Sequence, residues 1–178
     1  MPVTSLFVSV AIATVIHTMI DVTDADLRAA LAASLAVPRW VEDVASRAPF
    51  DDLSELLLVA YAEATPLAAT EIDEAIKHHP RIGEQPVGSG TSHNFSRAEQ
   101  GDATELAEEL AAGNAGYEEK FGRVFIIRAA GRTRSEIVDE LNRRMTLDDA
   151  TELQVVGEQL RDIALLRLEK LFGGEATA

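Results

Sequence analysis

The clearest hydrophobic pattern lies near the C-terminal end. Leu153, Val156, Leu160, Ile163, Arg167 and Leu171 follow one another at spacings of three and four, which places them on one stripe of a helix over 149–171. Further helix starts are marked by a hydroxyl three residues ahead of an acid, the arrangement in which each satisfies a free backbone N–H at the helix start. Thr23 with Asp26, Thr70 with Asp73 and Thr133 with Glu136 have this form. Together with the apolar runs they predict helices over 24–36, 39–47, 52–64, 71–78, 97–119 and 134–145, the fifth open to a break at Gly113 or Gly116. Pro38, Pro49 and Pro66 punctuate the first half, where proline opens a helix or blocks its continuation.

Two stretches do not fit a helix. Residues 83–94 (GEQPVGSGTSHN) form a polar, glycine-rich loop of a length that often carries function. Residues 124–129 (VFIIRA) form a short β-branched and aromatic run, expected to cross beside the helices as an extended strip. With no internal repeat and no linker, the expectation is all-α: a single irregular multi-helix domain over 21–172, with a flexible tail at 173–178.

Composition narrows the function classes. The 178 residues are 47% apolar and 26% charged, as in an ordinary globular protein, and only 5% aromatic, which favours helices over a β-sandwich. A formal charge of −14 excludes sequence-independent nucleic-acid binding, which requires a basic face. The absence of cysteine removes disulfides and thiolate chemistry and is neutral between compartments. Residues 1–20 are apolar, with His17 the one side chain able to carry charge. A signal peptide is the alternative, but it should open on a positive segment and end in a small-residue cleavage site, neither of which is convincing here. A membrane span would carry a basic flank, which these residues lack. They read as an extension outside the domain, with Met19 an alternative start. No membrane association is expected, and the location is expected to be cytoplasmic.

Three places could carry chemistry. His79 precedes Pro80, which forces it out of the helical region and so to a helix C-terminus. The helix dipole there stabilises an imidazolium, so His79 could exchange protons near neutral pH. The segment alone favours a plain helix cap at His79 with His78 a solvated neighbour. Adjacent His78 and His79 do not form a metal-ligand spacing, and no metal site is expected. The stretch Ser96-Arg97-Ala98-Glu99-Gln100 reads as a capping box, or as a helix start whose N–H groups receive an anionic or carbonyl ligand. Arg167 interrupts the apolar stripe. A buried guanidinium without a partner costs several kcal/mol, so it should meet a carboxylate, backbone carbonyls or a bound anion, unless it snorkels from the stripe's edge. Arg143 and Arg161 fall on charged faces, with Asp139 and Arg143 a helix-surface pair.

Taken in order, HPRIGE at 79–84, SRAEQ at 96–100, YEEKFGRVFIIRAAGRT at 117–133 and EQLRDIALLRLEKL at 158–171 resemble the OHCU (2-oxo-4-hydroxy-4-carboxy-5-ureidoimidazoline) decarboxylase family. AVPRWVEDVASRAPF at 36–50 adds to the likeness, which runs from about residue 21 to 172. The resemblance implies an all-α, commonly dimeric decarboxylase of urate breakdown that forms (S)-allantoin without a cofactor and works alongside 5-hydroxyisourate hydrolase. It implies catalytic roles for His79, Glu99 and Arg167. Substrate contacts would come from Pro80, from Ser96, Arg97, Ala98, Glu99 and Gln100, and from the strip formed by Phe125, Ile126, Ile127, Arg128 and Ala129. Phe95 and Arg128 depart from residues usual in the family, as does the lack of an asparagine near Leu147. A non-catalytic all-α interaction module, or a lyase for a related cyclic ureide, is the alternative.

Overall fold

A computed structural model describes residues 20, 22–77, 79, 82 and 97–173, with the backbone alone for 97–105. Among these residues there are seven helices and no strand. They are α1 (Asp24–Ser34), α2 (Pro38–Ala45), α3 (Leu53–Glu63), α4 (Ala69–Ile76), α5 (Arg97–Phe121), α6 (Arg134–Arg144) and α7 (Asp149–Phe172). The all-α expectation is met. Of the predicted extension over 1–20 and the predicted tail over 173–178, residues 1–19 and 174–178 lie outside the described residues. No helix among the described residues is long and apolar enough to cross a membrane.

The helix starts follow from local hydrogen bonding. Thr23 Oγ1 accepts from the N–H of Asp26 (3.2 Å), and Asp148 accepts from Thr151 (2.9 Å). At α6 both halves of the box form: Thr133 Oγ1 accepts from Glu136 N (3.2 Å), and Glu136 accepts from Thr133 N (2.6 Å). The start expected from Thr70 and Asp73 is corrected. Helix α4 begins at Ala69, where Glu71 reaches back to the N–H of Ala68 at 2.7 Å. Alanine has no capping oxygen, so a search for a capping hydroxyl passes this start by. Helix α5 is unbroken, and Gly113 serves close packing: a Cβ there would lie 2.8 Å from Leu141 Cδ2 on α6.

Two apolar clusters result. The larger joins α1 to α4 with α7 around Trp40, Leu31, Leu56, Leu160 and Leu168. The smaller joins α5 and α6 around Tyr117, Phe121, Ile137 and Leu141. The extended strip at 124–129 lies between them, and its alternation assigns side chains to each. Val124 and Ile126 pack into the larger cluster, while Phe125, Ile127 and Ala129 pack into the smaller. An extended segment in a helical protein is thus explained by packing: period two serves two cores at once.

Trp40 anchors the larger cluster, fully buried, with its indole N–H donated to Ala60 O at 2.9 Å. Trp40→Phe is expected to cost about 2 kcal/mol through lost volume and a lost hydrogen bond. The urea midpoint measures this, and an unchanged midpoint would show that the indole nitrogen contributes nothing.

Candidate active site

His79 stands just beyond α4, its N–H donated to Ile76 O at 2.9 Å. Its Nδ1 lies 3.1 Å from Ala75 O and its Nε2 lies 3.5 Å from Nη2 of Arg167. These partners assign the tautomer. A carbonyl only accepts, so Nδ1 carries the proton; a guanidinium only donates, so Nε2 presents its lone pair. His79 Nε2 thus faces the guanidinium of Arg167.

Arg167 comes from the far end of α7, 88 positions along the chain from His79. Its Nη1 donates to Ser34 O (2.9 Å) and is 3.4 Å from Ala33 O. These belong to the last turn of α1, whose carbonyls have no helical partner and form the negative end of the helix. Among the described residues no carboxylate pairs with Arg167, and burial lowers the pKa of its guanidinium. A half-buried cation whose partners among the described residues include no carboxylate can receive an anion.

The expected stripe on α7 needs correction. Its buried face runs through Glu152, Val156, Gly157, Leu160, Ala164 and Leu168, while Leu171 is 56% exposed and Leu153, Ile163 and Arg167 are half-buried. The small residues Gly157 and Ala164 hold the true centre, so a stripe traced by bulk alone drifts onto the neighbouring ridge. Arg167 therefore stands at the edge of the core, where it can meet a ligand.

The strip is held by the protein itself at two backbone groups expected to meet the substrate. Ile126 O accepts from Arg144 Nη1 at 2.6 Å, and Arg128 N donates to Gln159 Oε1 of α7 at 3.0 Å. The described backbone of α5 begins at Arg97. Ser96, Pro80, His78 and the side chains of Arg97, Ala98, Glu99 and Gln100 lie outside the described residues. The structure thus brings together His79 and Arg167.

Sequence reasoning missed a buried cluster behind the strip. Arg144 and Glu152 have no solvent exposure and form an ion pair in which Arg144 Nε is 2.9 and 3.1 Å from the two carboxylate oxygens. Tyr117 donates its hydroxyl to Glu152. Burial, then the neighbouring carboxylate, raises the phenol well above its ordinary pKa and keeps it protonated. A signal existed: Ile137, Leu141 and Arg144 share a spacing of four and three, so Arg144 lies on the apolar face of α6. Arg143 pairs with Glu140 (2.7 Å), a correction of the pairing expected with Asp139. Asn114, also buried, donates to Ile82 O at 2.9 Å and so ties α5 to the segment following His79.

A cavity of about 220 Å³ bounded by Pro66, Leu67, Ile72, Gly157 and Arg161 includes neither His79 nor Arg167. Among the described residues no three His, Asp or Glu side chains converge as metal ligands.

The comparisons with known proteins agree with the geometry. The sequence profile of the family described as OHCU decarboxylase matches residues 21–169. The human "Putative 2-oxo-4-hydroxy-4-carboxy-5-ureidoimidazoline decarboxylase" is 30% identical over 132 residues, covering 71% of this chain and 76% of that protein. "Uric acid degradation bifunctional protein TTL" of Arabidopsis thaliana is 36% identical over 110 residues, 58% of this chain, and the chain spans only 34% of that protein's length. A solved structure, "Crystal structure of OHCU decarboxylase in the presence of (S)-allantoin", superposes with a TM-score of 0.66 at 26% identity, covering 85% of this chain and 99% of that one. With the profile spanning all seven helices nearly to the end of α7, this chain belongs to the OHCU decarboxylase family.

Proposed function

We propose that this protein is a cofactor-independent carboxy-lyase that converts 2-oxo-4-hydroxy-4-carboxy-5-ureidoimidazoline to (S)-allantoin and carbon dioxide in urate degradation. The observation that carries the proposal is the approach of Arg167, a half-buried cation with no carboxylate partner among the described residues, to within 3.5 Å of His79 Nε2.

The chemistry fits these two groups. The substrate carries its carboxylate on a carbon that also bears a hydroxyl, next to a ring C=N. When the C–C bond to the carboxylate breaks, its electron pair enters the conjugated ring, which serves as the electron sink. The ring nitrogen that receives the pair takes a proton from solvent. The hydroxyl then loses its proton as a carbonyl forms, and a proton is added at the ureido-bearing carbon that becomes the stereocentre. Arg167 orients the substrate anion by charge-assisted hydrogen bonds. His79 Nε2 takes up the hydroxyl proton, held in aim by the Nδ1–H to Ala75 O. Glu99 positions the substrate, and Ser96 to Gln100, Pro80 and the strip at 125–129 complete the contacts.

A small anionic ureide is thus the partner in the site. The bifunctional name of the Arabidopsis relative supports operation beside a second activity of urate degradation, for which 5-hydroxyisourate hydrolase is the candidate. We place the enzyme in the cytoplasm as a homodimer. To test the reaction, 5-hydroxyisourate and its hydrolase generate the substrate in situ, and carbon dioxide release is timed with and without the protein. Release well above the spontaneous rate is expected. A spontaneous rate in both would assign the fold to an interaction role instead.

A further inference from the structure

We propose that Arg144, held by Glu152 and Tyr117, is a positioning residue that keys the 124–129 strip to helix α7 and thereby sets substrate affinity. The inference rests on the decarboxylase reading for its consequence, but not for the clamp itself.

All three guanidinium nitrogens of Arg144 are engaged, and in different directions. Nε and Nη2 face Glu152 in the first turn of α7, and Nη2 is also 3.4 Å from the Tyr117 hydroxyl. Nη1 turns the other way and donates to Ile126 O at 2.6 Å. The guanidinium carbon also lies 4.6 Å from the centre of the Phe125 ring, so the cation grips the strip by backbone and by side chain. Seven residues on from Glu152, Gln159 accepts from the N–H of Arg128. Eight residues further, the same helix presents Arg167 to His79. Glu152, Gln159 and Arg167 therefore share one rigid rod of 24 residues, about 36 Å long. The strip cannot slide without moving relative to the cation that receives the substrate.

Stability alone does not account for this arrangement. A fully buried ion pair gains little over well-packed apolar residues of similar volume, because both charges lose their hydration. What apolar residues cannot supply is a donor directed at a strip carbonyl.

The test replaces the cluster by an apolar one, Arg144→Met, Glu152→Met and Tyr117→Phe together, with Arg144→Lys as a second variant. The triple variant removes both charges and the hydroxyl that depended on them, so its melting temperature should equal or exceed the parent's. Arg144→Lys keeps a cation beside Glu152 but loses the fork that reaches Ile126, and it remains readable if the triple variant folds poorly. Two measurements are made on each: amide hydrogen exchange of the peptide covering 124–129, and KM and kcat for the substrate generated in situ. Faster exchange confined to the strip is expected, with KM raised about tenfold and kcat much less affected. A purely structural cluster would lower the melting temperature and the active fraction while leaving KM unchanged. Unaltered strip exchange, or faster exchange with unaltered KM, overturns the proposal. A parent protein without decarboxylase activity overturns the functional reading, while strip exchange still decides the clamp.

Discussion

Replacing Arg167 by methionine is expected to lower kcat/KM by about two to three orders of magnitude, the loss that follows when one partner of a desolvated charge pair is removed. The fold should hardly register the change. Arg167 stands at the edge of the core, and its present partners are the carbonyls of Ala33 and Ser34. Methionine gives up that cap on α1, worth a few tenths to about 1 kcal/mol, and is relieved of a half-buried charge. The melting temperature should therefore stay within about 4 °C of the parent's. Arg167→Lys separates charge from geometry. The ammonium keeps the charge, but it cannot span the α1 carbonyls and a carboxylate as the planar fork does. It should lose on the order of tenfold to a hundredfold in kcat/KM despite its conservative look. Unfolding of Arg167→Met would make the arginine a structural cap and remove the physical basis for substrate binding. Full activity in both variants would make it a snorkelling surface residue.

His79→Ala should fold and lose about three orders of magnitude in turnover, within the usual range for a positioned general base. The structural cost is the hydrogen bond from Nδ1 to Ala75 O, on the order of 1 kcal/mol. His78→Ala should keep most of the activity, because the motif and the Arg167 contact both single out His79. Initial rates and thermal melts on the two variants separate the possibilities. Equal loss at both positions, or at neither, would withdraw the proton-transfer role from His79.

Much of this was legible in the sequence, and the parts that were not have physical reasons. Thr23 and Thr133 marked helix starts because capping is local, with donor and acceptor three residues apart, and Pro38 opens α2. The strip stood out because its β-branched run breaks helical periodicity. Arg167 was noticed because a charge in an apolar row demands explanation, though the row itself lay one ridge away from the true core. The start of α4 was misplaced because alanine caps nothing, and the work falls to Glu71 from inside the helix. The Arg144–Glu152 pair escaped because it joins the end of one helix to the start of the next, and no helical spacing relates residues across a turn. The neighbouring Arg143 and Arg144 differ in the sequence only by the apolar spacing of Ile137, Leu141 and Arg144. One is paired with Glu140 on the surface and the other is fully buried where α6 packs on α5 and the strip.

The most direct measurement of the central claim is the handedness of the product. The protein, freed of any affinity tag and dialysed exhaustively against a chelator, is mixed with 5-hydroxyisourate and its hydrolase while circular dichroism is followed. A rapid rise to the signal of (S)-allantoin, unchanged by chelation, is the expected result. A signal that stays at the racemic baseline, or one that disappears on chelation and returns with a divalent cation, would contradict a cofactor-free decarboxylase built on His79, Glu99 and Arg167.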